Sequence, residues 1–323
     1  MFLFSISLTF AALNFAAVHG QTLPKEIVGC ADIGCPLQEN RSSINCNVVD
    51  KSFYTIGLAR IPGTSTALNG LSWTQGVAVT DDEPNKSRTF EKNFYLGTPP
   101  STNLNGTGGC AVFFNKARGV KFPENGNDIK SSTGKCQDAI DSSCLDGLSK
   151  TALDIADGFN MSSQEACRAL LNRFKDSSPK SCENLPWDGL TILPLSGENA
   201  PAKINSTANS TSNCWPITPK SDDLTLVNTV PSQGDYNAST IEEALYSITP
   251  ILTVFYPGNG TLINKPEAHF TCLKGITNLS PGAGNQSNGT TGGDPKKSAA
   301  AVVSPIFGAV TLTLAMGLHI FVM

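Results

Sequence analysis

The stretch CQDAIDSSCLDGLSKTALDIADGFNMSSQEACRALLNRFKDSSPKSC, Cys136 to Cys182, decides the fold class, because the period of the sequence changes there. Ile140, Cys144, Leu145, Leu148, Ala152 and Ile155 recur at three and four residues, which is one face of a helix. Gly147 is a weak point in that helix and Gly158 its stop. Ser162 and Glu165 have the spacing of a capping box, in which the hydroxyl accepts from the backbone while the carboxylate reaches back. Cys167, Leu170, Leu171 and Phe174 then share one face of a second helix. Residues 135–182 therefore predict a helical hairpin carrying four cysteines. Folding it about the Asp157–Ser162 turn brings Cys144 toward Cys167 and Cys136 toward Cys182, and a crossed pairing is equally legal.

Outward from the hairpin the signals are those of strands. Before it come FYTIGLA (Phe53–Ala59), LSWTQGVAV (Leu71–Val79), FEKNFYLG (Phe90–Gly97) and CAVFF (Cys110–Phe114), rich in β-branched and aromatic residues. Leu71 to Gly97 reads as a hairpin with a long loop. After it come LTILPL (Leu190–Leu195), LTLVNTV (Leu224–Val230), PILTVFY (Pro250–Tyr256) and AHFTCL (Ala268–Leu273). Ser196–Asn213 is a polar loop, and Ser239-Thr240-Ile241-Glu242 is placed to cap one short helix through Tyr246. Strands, a helical pair, then strands predict a mainly β (α+β) chain. The expectation is a disulfide-braced, β-sandwich-like ectodomain with an inserted cysteine-rich helical hairpin. Two consecutive domains are the alternative, although no linker interrupts Cys30–Cys272.

The ends of the chain carry an address. Residues 1–20, MFLFSISLTFAALNFAAVHG, are a short apolar run ending in small residues and read as a secretory signal peptide. Residues 299–323 are apolar with no Lys, Arg, Asp or Glu, and no basic residue follows the run. That contradicts a single-pass anchor, which carries its positive charge on the cytoplasmic side. A GPI-attachment signal resolves the contradiction, with Ser298 as attachment residue and Asn288 as the alternative. Between residues 21–275 and this tail, residues 276–298 are mostly Gly, Asn, Ser, Thr and Pro, a flexible stalk. The expected location is the extracellular face of the plasma membrane or the cell wall.

All ten cysteines, Cys30, Cys35, Cys46, Cys110, Cys136, Cys144, Cys167, Cys182, Cys214 and Cys272, lie between those ends, an even set expected to form disulfides in an exported protein. No C-x-x-C occurs, and neither a metal nor a cofactor is expected. Asn-x-Ser/Thr acceptors stand at Asn40, Asn85, Asn105, Asn160, Asn205, Asn209, Asn237, Asn259, Asn285 and Asn288. Asn278 is set aside because Pro281 follows its acceptor serine. Glycosylated positions must be exposed, so these mark surface along the chain. A net charge of −4 with no basic run argues against a nucleic-acid partner.

Residues that carry chemistry are few. Between residues 21 and 298 the only histidine is His269, inside a strand-like run, and no G-x-S-x-G elbow is present. Two-carboxylate sugar chemistry needs no histidine, and Glu83, Glu91, Asp188, Glu198 and Glu267 are available, none in a distinguishing motif. Asp81-Asp82-Glu83 lacks the calcium-loop pattern and reads as a solvated turn. Among the tryptophans, Trp73 belongs to a strand. Trp187 and Trp215 sit in loops beside cysteines and are the candidate sugar-stacking residues, with packing over a disulfide as the plainer reading.

The set of features, together with LSWTQGVAV (Leu71–Val79), FYLGTPPS (Phe94–Ser101), GCAVFF (Gly109–Phe114), SNCWP (Ser212–Pro216) and PILTVFYPG (Pro250–Gly258), resembles an uncharacterised family of fungal GPI-anchored cell-surface glycoproteins. The resemblance implies an address and no catalytic residue. The leading expectation is a membrane-anchored surface glycoprotein with a structural or adhesive role, whose partner is wall polysaccharide or another surface glycoprotein. A glycosidase or transglycosidase using two carboxylates is the alternative, and a single-pass surface receptor the third.

Overall fold

The computed structural model describes residues 46–81, 87–117, 129, 134–215, 222–235, 237–260 and 262–276. The expected signal peptide, attachment tail and stalk beyond Ile276, with Cys30, Cys35, Asn40, Asn85, Asn285, Asn288 and Ser298, lie outside them.

Among the described residues ten strands form in chain order: β1 (Cys46–Val48), β2 (Lys51–Phe53), β3 (Thr55–Arg60), β4 (Ser72–Asp81), β5 (Arg88–Thr98), β6 (Thr107–Phe114), β7 (Leu190–Pro194), β8 (Asp223–Gly234), β9 (Thr249–Pro257) and β10 (Glu267–Leu273). Four helices accompany them: α1 (Ser142–Ala156), α2 (Ser163–Asp176), α3 (Ser206–Ser210) and α4 (Ala238–Tyr246). Two four-stranded antiparallel sheets result, in the orders β3-β4-β5-β8 and β10-β9-β6-β7, and β1 pairs with β2 in a small hairpin. The chain is mainly β, with the helical hairpin between β6 and β7, which are neighbours in the second sheet.

The alternation of side chains makes the layers. From the first sheet Trp73, Phe94 and Leu96 point inward, and from the second Ala111, Phe113, Ile251 and Phe255 meet them in one apolar cluster. The Trp73 and Phe113 rings meet edge to face at 5.5 Å, and the Trp73 indole N–H donates to Thr253 Oγ1 at 2.9 Å, tying β4 to β9 across the core. The alternate residues of β6 and β9 (Val112, Phe114, Leu252, Val254, Tyr256) face outward onto α1 and α2. Both strands are thus buried on both faces, which explains why CAVFF and PILTVFY read as continuous apolar runs. On the opposite outer face Val48 of β1 and Phe53 of β2 cover Ala78, Tyr95 and Leu224. At one end of the interlayer space α4 packs Leu245 and Tyr246 against Val77 and Phe90.

Local chemistry explains the element boundaries. Ser162 caps α2 by accepting from the Glu165 backbone N–H while Glu165 accepts from the Ser162 N–H at 3.2 Å, as the sequence predicts. The cap of α4 differs from expectation. Asn237, not Ser239, is the N-cap, its Oδ1 accepting from Thr240 N–H at 2.8 Å. An asparagine carbonyl reaches the third helical N–H as readily as a hydroxyl does, so the helix starts two residues earlier. Ile276 and Ile56 exchange backbone bonds of 3.0 and 3.4 Å along β3. Gly57 is required there, since a Cβ would stand 2.0 Å from the Lys274 carbonyl oxygen.

Eight cysteines are described and all are paired: Cys46–Cys214, Cys110–Cys167, Cys136–Cys272 and Cys144–Cys182. The expected Cys144–Cys167 and Cys136–Cys182 bonds do not form. Each helix lays its apolar face on the sheet rather than on the other helix. Cys167 therefore meets Cys110 of β6, and Cys136 reaches Cys272 of β10. Cys144 pairs with Cys182, which a single turn, Lys180–Cys182, returns to the start of α1. Among the described residues no helix is long and apolar enough to cross a membrane.

Candidate ligand-binding cleft

The strand registers define two ends of the sandwich. Thr98↔Asp223, Ser72↔Gly97 and Thr107↔Pro257 lie at one end, and Arg88↔Gly234, Thr55↔Val77 and Phe114↔Leu190 at the other. The second end holds an open cleft of about 610 Å³, within the size range of small-molecule sites.

One wall is the last part of β8, Val230–Gly234, continued by Asp235, and the facing wall is α4 with Thr240, Glu243 and Ser247. The floor is Phe90 and Lys92 of β5, and the far side is Asn115, Lys116 and Gly189. Gly234 lets the walls close on one another, because a Cβ there would meet the Thr240 methyl carbon at 2.0 Å. Lys92 donates to the Ser247 hydroxyl and so spans the cleft from β5 to the end of α4. Asn115 is held from two sides. Its N–H donates to the Gly189 carbonyl at 3.1 Å, and its side-chain amide donates to Thr191 Oγ1 at 3.0 Å. Lys116 pairs with Asp188, whose exposed carboxyl the ammonium holds below the usual carboxylate range.

Chemically the cleft balances its charges, with Lys92 and Lys116 against Asp235 and Glu243. Between them stand hydroxyls and amides from Ser232, Gln233, Thr240 and Asn115. Such a lining suits a neutral ligand rich in hydroxyl and amide groups better than a fully charged one. Sequence reasoning missed these residues. The only available signal was the polar run PSQGDYN after an apolar strand, and that pattern reads as a turn.

The sequence candidates lie elsewhere. Trp187 is half-buried on the helical side, 6.4 Å from the Phe174 ring. Trp215 packs beside the Cys46–Cys214 bond under the other outer face and donates its indole N–H to the Asp222 carbonyl at 2.8 Å. The two rings are on opposite outer faces of the sandwich, so they make no common stacking platform, and neither lines the cleft.

The carboxylates are also dispersed. Glu91 pairs with Lys51, Asp188 with Lys116, and Glu198 is exposed in the turn after β7. Glu83 and Asp82 lie outside the described residues.

Glu267 accepts from Ser65 N–H at 3.0 Å and lies 3.1 Å from His269 Nε2. Burial alone would raise its carboxyl, but the bonds from Ser65 and His269 outweigh burial and hold it below its ordinary value. In this cluster the carboxylate is the central group, whereas a nucleophilic triad needs the imidazole between hydroxyl and acid. The cluster instead pins the turn after β3 to the start of β10.

The buried pair Arg60–Asp222, 3.2 Å apart, fastens β3 to the start of β8. Desolvation lowers the guanidinium and raises the carboxyl there, each partly offset by the other. Among the described residues no group of His, Cys, Asp or Glu is placed to hold a metal ion.

No protein-family model matches the chain, and comparisons with curated proteins and with solved structures find no match either.

Proposed function

We propose that this chain is a GPI-anchored surface glycoprotein of the plasma membrane or cell wall, with a structural or adhesive role, which holds wall polysaccharide in the cleft beneath α4. The observation that carries the reading is the distribution of its glycosylation acceptors. All six described sequon asparagines are exposed. Asn105, Asn160 and Asn259 stand in turns at one end of the sandwich, with Gly260 N–H bonded to the Gly106 carbonyl at 3.1 Å and Phe159 stacked 5.0 Å from Tyr256. Asn205 caps α3 beside the first residues of β8, and Asn209 follows one turn on. The chain leaves the described residues at Ile276, at the opposite end, beside the start of β3. Five of the six described acceptors thus lie away from the cleft and Asn237 alone among them stands beside it, so most glycans leave the cleft free for a wall polymer. Four disulfides across three layers fit an oxidising, extracytoplasmic compartment.

The test is expression of the full chain in a eukaryotic secretory host. Phosphatidylinositol-specific phospholipase is expected to release it from the cell surface, and the released protein is expected to be retained by glucan, chitin or mannan without cleaving it. Resistance to release with Met323 retained would replace the anchor by a membrane span. Failure to bind any of the polymers would remove the polysaccharide partner.

A second reading, a glycosidase or transglycosidase, draws on Asp235 and Glu243, which both line the cleft. New reducing ends or transfer products in the same mixtures, abolished by Glu243→Gln, would favour it.

A further inference from the structure

We infer that Asn237 carries an N-linked glycan whose core sugars lie in the cleft between β8 and α4, as a tethered occupant that competes with external polysaccharide. The inference rests on the secretory reading above and concerns the regulation of the same site. Asn237-Ala238-Ser239 is an acceptor sequence and Asn237 is exposed. Its position is the joint of the cleft, two residues after Asp235 on one wall and three before Thr240 on the other. Asn237 itself does not line the cleft, so a sugar attached there starts beside it, next to both walls in sequence.

The cap geometry allows the attachment. The helix uses the side-chain oxygen of Asn237, which accepts from Thr240 N–H at 2.8 Å, whereas a glycan bonds to the amide nitrogen. Capping therefore fixes the side chain without consuming the atom that is modified. The lining agrees with the occupant. Two ammonium and two carboxylate groups balance, and Ser232, Gln233 and Thr240 present groups that pair with neutral sugar hydroxyls and acetamides. The other described acceptors are remote from the cleft, in the turns at the far end or on α3. Tethering also relaxes the affinity required. A ligand joined by so short a link has an effective concentration of about millimolar order, so an intrinsic affinity of the same order fills the site.

The experiment uses the full glycosylated chain. Peptide mapping reports occupancy at Asn237, and amide hydrogen exchange reports the walls, residues 230–235 and 238–248. Ser239→Ala removes the acceptor and keeps the capping asparagine. Ser239→Thr alters the same position and keeps the acceptor. Ser239→Ala is expected to exchange roughly tenfold faster than wild type in both walls, with α2 unchanged and Ser239→Thr matching wild type.

An unmodified Asn237, or equal wall exchange in wild type and Ser239→Ala, would overturn the inference. The two proposals fail separately. Faster exchange in Ser239→Ala with no polymer retained by either form keeps the tethered glycan and removes the polysaccharide reading. Equal exchange with polymer retained equally by both forms does the reverse.

Discussion

The two outer faces of the sandwich are covered by different means. Over the β10-β9-β6-β7 sheet lies a helical layer, in which Leu148, Ala152 and Ala156 of α1 and Ala166, Leu170 and Phe174 of α2 are buried against Val112, Leu252 and Val254. Among the described residues the β3-β4-β5-β8 sheet is covered by a strap, the β1–β2 hairpin, with Val48 and Phe53 set on Leu58, Ala78, Tyr95 and Leu224 and with Ile204 and Trp215 beside them. The strap is held by Cys46–Cys214, by the Lys51–Glu91 ion pair to β5, and by two bonds to the 204–215 segment, Asn47 N–H to Asn213 Oδ1 at 2.6 Å and Val49 N–H to Ser212 Oγ at 3.0 Å. Where two helices bring enough apolar area, packing holds the layer and the disulfides reinforce it. Where two three-residue strands do not, the covalent link carries the attachment.

A pair of matched truncations tests that difference most strongly. Phe174 and Phe53 are both almost wholly buried, one in each cover. Phe174→Ala is expected to cost about 4 kcal/mol, because α2 is fixed at Cys110–Cys167 and cannot follow the lost ring into the gap. Phe53→Ala is expected to cost about 3 kcal/mol, because the short strap can settle onto Tyr95, now 6.0 Å from the Phe53 ring. Denaturant unfolding of the two variants reads both values, and a larger loss for Phe53→Ala would break the comparison.

Removing the covalent links should reverse the ranking. Cys46→Ser with Cys214→Ser opens a link across 168 residues of sequence, and about 3 kcal/mol of stability is expected to go with it. Residues 46–53 and 204–215 should lose exchange protection while α2 keeps its own. Cys110→Ser with Cys167→Ser opens 57 residues and is expected to cost about 2 kcal/mol, since the packed helix stays in place. If the helical layer detaches in the second variant and the strap stays down in the first, the assignment of packing to one face and linkage to the other is wrong.

The same contrast separates what was legible in the sequence from what was not. Both helices and the Ser162–Glu165 cap were legible because period and capping are local properties. The eight strands of the two large sheets were legible because β6 and β9, buried on both sides, leave unbroken apolar runs, and β4–β5 keeps its partners adjacent in sequence, whereas the three-residue β1 and β2 are too short to show a period. The disulfide pairs were not. Cys110, Cys214 and Cys272 are distant in sequence from the cysteines they meet, and only the stacking of helix on sheet brings them together. Trp187 and Trp215 were candidates for sugar stacking with packing over a disulfide as the plainer reading, and the plainer reading describes Trp215 beside Cys46–Cys214, while Trp187 packs into the helical layer. The cleft was invisible because its walls come from β5, the turn after β6, β8 and α4. Each is an ordinary polar segment by itself, and they face one another only once the sandwich is closed.

The smallest expected effect is at the tip of the strap. Val49 has φ +57°, the left-handed region that β-branched residues rarely enter, and its side chain is 39% exposed. The two-residue turn between β1 and β2 forces the conformation, and the Ser212 bond to its N–H holds it. Strain of this kind amounts to roughly 1–3 kcal/mol and persists only where neighbouring contacts over-determine the backbone. Val49→Gly removes the strain and little packing, but a glycine gives the unfolded chain more freedom, which offsets part of the gain. The net expectation is a stabilisation of about 1 kcal/mol in the intact protein. With Cys46 and Cys214 both replaced by serine, the gain should shrink, because the freed strap lets the turn relax and the folded state then stores less strain. An equal gain in both backgrounds would mean that the disulfide and the turn act independently, and that the strap is held by its apolar contacts after all.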